Sequence, residues 1–134
     1  MTPTTAWILL GLAAFGVSDW RRRSVPAWPF DLWLVGLWVL AALTGRPPCW
    51  RLGAAWLAGL AALALATRGL GSADVLAIAA IAALHPPEWG LWWVLLACTA
   101  TGLHHRLAHP ATLPLLSWLG VSFAILLALH LLLL

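Results

Sequence analysis

At 134 residues, with 63% hydrophobic and 8% charged side chains, the sequence lies far from soluble globular composition, where about a quarter of residues are charged. Its net charge of +3 rests on seven arginines and no lysine, a pattern of membrane topology and headgroup contact rather than a nucleic-acid footprint. A spanning helix takes about 20 apolar residues, so six spans consume nearly the whole chain and exclude a separate soluble domain. The expected fold is an all-α, polytopic transmembrane bundle of about six helices, one domain over residues 1–134.

Helix 1 is expected from about Thr5 to Trp20, stopped by Arg21, Arg22 and Arg23. Its apolar start has no positive n-region and its arginines follow the span, so it reads as a span entering with the N-terminus outside, not as a cleaved signal peptide. Val25-Pro26 imposes an extended step, because the residue before proline avoids helical geometry. Helix 2 follows from about Pro29 to Thr44 and ends at Gly45-Arg-Pro-Pro48. Helix 3 covers about Trp50 to Thr67, with Gly53, Ala54, Ala55, Ala58 and Gly59 permitting close packing.

Helix 4 starts near Ser72 or Asp74 and stops before Pro86-Pro87, which leaves it short for a full crossing and points to burial among other helices. Helix 5 is expected from about Glu88 to Gly102, with His104-His105-Arg106 marking the next interface. Beyond a loop with Pro110 and Pro114, helix 6 runs from about Leu115 to the end. Of the eleven tryptophans, some suit an interfacial belt and the remainder must sit in helix cores. Cys49 falls in a loop and Cys98 in mid-span, so both are expected as free thiols.

Connections after helices 1, 3 and 5 carry Arg21, Arg22, Arg23, Arg68 and Arg106, whereas the opposite side carries Arg46 and Arg51. The positive-inside rule then places the first set in the cytosol. Asp19, Asp31 and Asp74 share that face, and Glu88 lies on the other. Asp31, Asp74 and Glu88 each sit in a first helical turn, where the backbone dipole favours an acid by about 0.3 to 1 kcal/mol. Ser72 is available beside Asp74 as an N-cap. Asp19 instead sits at a helix C-terminus, the end that disfavours an anion, and pairing with Arg21 to Arg23 is its ordinary explanation. The alternative is that Asp19 and Asp74 face each other and share a proton, so that one acts as acid while the other activates water.

Asp19-Trp-Arg-Arg-Arg-Ser-Val-Pro26 and Gly71-Ser-Ala-Asp74 resemble the two motifs of the prepilin peptidases, membrane aspartic proteases of the Gly-x-Gly-Asp type. In that family an aspartate at the cytosolic end of a span precedes basic residues and an Ile-Pro-Asn step, and the second motif opens a later helix. Pro110 to Pro114 is compatible with the family's proline-containing loop before the last span. The resemblance implies Asp19 and Asp74 as the catalytic pair, supported by Pro26, Gly71, Ser72 and Ala73. It implies removal of a cytosolic leader from prepilin-like substrates, each presenting a short basic leader ahead of an apolar helix. It also implies a multi-pass place in the inner cell membrane among its lipids, with the active site facing the cytoplasm. Ala73 stands where the family has its second glycine, Leu76 where lysine is frequent and Ala27 where asparagine is usual. The cysteine-bearing methylation domain of larger members is absent, so no methyl donor is expected.

His104, His105 and His109 lack a nearby cysteine or acid, so no metal and no other cofactor is expected. His130 in helix 6 is expected to be satisfied by a neighbouring helix. No nucleic-acid partner is expected, and the sequence does not define an oligomeric state. Two other classes stay open: a non-catalytic membrane protein whose aspartates are structural, and a proton-coupled transporter, for which an acid nearer mid-span is expected.

Overall fold

The computed structural model describes residues 2–68, 70–108 and 114–133, and among them the chain forms six α-helices and no strand. They are α1 (Pro3–Arg22), α2 (Ala27–Leu43), α3 (Trp50–Thr67), α4 (Ser72–Ala82), α5 (Pro87–Ala108) and α6 (Leu115–Leu132). The all-α architecture is the expected one. Two helices, α3 and α6, are long and apolar enough to cross a membrane, and α2 and α4 are shorter apolar helices.

The helix ends follow from local chemistry. Thr2 caps α1 by accepting the Thr5 N–H at 3.2 Å, ahead of Pro3 in the first turn, where a missing N–H costs nothing. Arg23 closes α1 in the left-handed region, donating its N–H to the Asp19 carbonyl at 2.9 Å. Pro26 is the extended N-cap of α2.

At the centre lies α4, packed by α2, α3, α5 and α6, while α1 packs on α2 and α6. From Ala77 to Ala82 every residue of α4 is buried. Its alanines let neighbouring helices approach closely; at Gly53 of α3 an added Cβ would stand 3.0 Å from the Ala83 Cβ. The Cys49 N–H donates to the Ala83 carbonyl at 2.8 Å, satisfying one free carbonyl at the end of α4. Expected shortness and burial of this helix are both present.

Tryptophan joins α1 to α2 reciprocally. The Trp7 indole N–H donates to the Trp33 carbonyl at 3.1 Å, and the Trp33 indole N–H to the Trp7 carbonyl at 3.0 Å. Each ring crosses a glycine of the other helix, Trp33 over Gly11 and Trp7 over Gly36. On the other side, buried Trp93 of α5 donates to the Leu119 carbonyl of α6 at 2.9 Å. Trp28, Trp50 and Trp92 are exposed, and both cysteines are free.

Two expectations need correction. Helix α5 does not stop at Gly102 but continues to Ala108. The Thr101 hydroxyl bonds back to the Ala97 carbonyl at 2.7 Å, and Gly102 faces open space without leaving helical geometry. His104, His105 and Arg106 are therefore helical. His130 is exposed rather than held by a neighbouring helix. His109 and residues 110–113 of the expected proline loop lie outside the described residues.

Candidate active site

Asp19 occupies the last turn of α1 and is half-buried. Carboxylates are disfavoured there by their own helix, but α6 supplies the compensation. The backbone N–H groups of Leu116 and Ser117, in the first turn of α6, hydrogen-bond to the Asp19 carboxyl, and Arg23 acts on it through space. These N–H groups belong to the unpaired set at a helix start and carry its positive partial charge.

Small residues make this approach possible. The Ser117 hydroxyl donates to the Gly16 carbonyl at 2.7 Å, and a Cβ on Gly16 would stand 3.2 Å from the Ser117 Cα. Gly120, one turn further along α6, lies against the Leu12 backbone. Gly16 precedes Asp19 by three residues, so it shares a face of α1 with the acid.

Asp74 is the third residue of α4 and is partly buried. Its N-cap is Gly71, not Ser72, and no side chain caps the helix. Asp74 reaches back instead to accept the Gly71 N–H, the acid's half of a capping box. An added Cβ on Gly71 would stand 3.1 Å from Asp74 Oδ2, so glycine leaves room for the carboxylate. Ala73 lies within α4 in ordinary helical geometry, with no positive φ there. Alanine therefore suits this position, where the resemblance has glycine.

Asp19 acts electrostatically on Asp74, so the fold brings together the two acids singled out from the sequence. Asp31 is exposed and is the fifth residue of α2, not in its first turn as expected, because that helix already starts at Ala27; Glu88 is exposed in the first turn of α5. Pro26 is exposed before α2 and fixes where that helix starts.

An aromatic cluster beside Asp19 was not anticipated. Trp20 stacks on His104 with centroids 5.1 Å apart, and the Trp118 indole N–H donates to His104 Nδ1 at 3.3 Å. Arg23 stands 6.0 Å from the Trp20 ring. The cluster ties the ends of α1, α5 and α6 together. Among the described residues no three His, Cys, Asp or Glu side chains are placed to hold a metal.

Two interacting acids therefore lie at one end of a bundle of apolar helices. The chain belongs to the type IV leader peptidase family, whose model it matches over residues 6–105. That stretch contains both acids and ends before α6. No curated protein and no solved structure matches the chain.

Proposed function

We propose that the chain is an intramembrane aspartic endopeptidase that removes the cytosolic leader of type IV prepilin-like proteins. The observation that carries this reading is that Asp19 acts electrostatically on Asp74 from a separate helix, within a chain of the leader peptidase family. Two such carboxylates, once they share a water, hold one proton between them. The ionised member takes a proton from a water placed between them, and the resulting hydroxide adds to the scissile carbonyl carbon. The protonated member donates to the carbonyl oxygen, and collapse of the diol breaks the C–N bond as the amine takes a proton. Neither metal nor covalent intermediate enters.

The arginine distribution supports six spans with the N-terminus outside and the acids facing the cytoplasm. At eleven residues, α4 is about 16 Å long against a hydrocarbon core of about 30 Å. A helix this short leaves room for Asp74 at its start to lie below the level of a full-length helix end, where a substrate helix would meet it as it leaves the bilayer. A non-catalytic role is favoured by one observation, that Asp74 also serves to cap its helix.

Purified protein in liposomes with a type IV prepilin tests the reading. The expected result is a single cut between leader and apolar helix, at a rate unchanged by a divalent-metal chelator. Loss of cleavage on chelation, with recovery on adding metal, would replace the aspartate mechanism by a metal-dependent one; no cleavage of any prepilin would favour the non-catalytic reading.

A further inference from the structure

Helices α2 and α3 both pack on α4 and diverge from each other over a cleft of about 430 Å³. At one end the cleft is closed by Trp38 against Trp50, edge to face with centroids 4.8 Å apart. Asp31 and Leu76 line its other end. Its floor is Ala79 and Ala80 of α4, with Ala54 on the α3 wall. Beyond the first turn of α4, Leu76 is the one exposed residue before the helix ends, half a turn on from Asp74 and so on nearly the opposite side of the helix.

We propose that this cleft docks the first two turns of the substrate's apolar helix, with Asp31 pairing the basic residue that flanks that helix on the cytosolic side. The proposal rests on the peptidase reading and names where its substrate lies. From Leu76 to Ala83 the floor measures about 10 Å, the rise of two helical turns. Small floor residues admit a helix backbone at close range. Asp31 is exposed and, among the described residues, pairs with no arginine, although an acid facing lipid is costly. A spanning substrate brings the matching cation, since cytosolic flanks carry lysine or arginine. A lipid acyl chain also fits an apolar cleft, but it places an anionic phosphate near Asp31. A helix seated here enters the bilayer beside Leu76, and the extended residues just before it reach Asp74, on the far side of α4, by crossing the start of that helix.

The test uses the full-length protein in liposomes with a type IV prepilin. Asp31→Lys and Ala54→Phe are both at exposed positions and are expected to raise KM about tenfold with kcat within twofold. Reversing the prepilin's flanking charge, lysine to glutamate, is expected to restore KM for Asp31→Lys. Ala62→Phe, exposed on α3 outside the cleft, should change neither constant. Independently, a benzophenone on Val35→Cys, in a Cys49→Ser, Cys98→Ala background, is expected to cross-link to the prepilin helix. Unchanged KM in both cleft variants, or cross-links to lipid alone, would overturn the docking site even while wild type cleaves. Cross-linking without cleavage would leave the site standing and remove the peptidase reading; absence of both would remove both.

Discussion

Two acids with the same side chain are placed by different devices. Asp74 occupies a position that its own helix favours and accepts the Gly71 N–H, whereas Asp19 sits where its own helix disfavours it and is held by the start of α6. Another residue, His85 in the turn between α4 and α5, sets a dependence of the fold on pH. Its Nδ1–H donates to the Ile81 carbonyl at 2.9 Å, and its ring stacks on Trp89. Burial pushes the imidazole below its ordinary range, and Arg46 adds to the effect against the Ile81 bond. The folded state thus holds the neutral ring, and the unfolded chain takes up the extra proton as pH falls below about 6.5. The contribution of His85 to stability is full above that value and declines below it, whereas the other titrating groups, the Asp19 and Asp74 pair among them, act alike with or without it. In thermal unfolding in detergent, the change in Tm on going from about pH 7.5 to about pH 5.5 should therefore be more positive in His85→Gln than in wild type; the same change in both proteins would contradict this assignment. Asp19 and Asp74 were legible in the sequence because position along a helix is readable from the residues around it. The partners of Asp19 at Leu116 and Ser117 were not, because backbone N–H groups come from any residue and leave no side-chain signal.

Among the elements, α4 shows how an apolar sequence specifies depth. Eleven residues rich in alanine cannot both cross the bilayer and face lipid, so burial of most of the helix was legible from length and composition. The reach of α5 was not. Gly102 reads as a stop signal, but a glycine ends a helix only where the chain turns into left-handed geometry, and Gly102 does not. The added turns bring His104 against Trp20 and Trp118. The α1 to α2 contact gives a direct test of packing, because a methyl on Gly11 would overlap the Trp33 indole. Gly11→Ala is expected to destabilise the protein by about 1–3 kcal/mol, the cost of overpacking a filled interface. Calorimetry in detergent measures it, and an unchanged Tm would mean that Trp33 can leave its place without loss.

Across the whole molecule, the chain's last described helix completes the surroundings of an acid on its first. The family match ends at residue 105. It does not include α6, whose close packing on α1 involves Gly16, Ser117 and Gly120. The approach of Gly16 to Gly120 and Ser117 shows only when the two helices are seen side by side, since sequence separation conceals which faces meet. Six helices were legible from hydropathy and the loop signals between them; the splay of α2 from α3 over α4 was not, because it depends on which pairs of helices pack. The central claim is that Asp19 and Asp74 act as one catalytic unit, and the most direct measurement is leader removal from a co-expressed type IV prepilin by wild type, Asp19→Asn, Asp74→Asn and the double variant. Each single substitution should abolish cleavage as completely as the double one while the protein remains folded in the membrane, because neither acid has a function alone. Cleavage persisting in either folded single variant at near the wild-type rate would contradict the account.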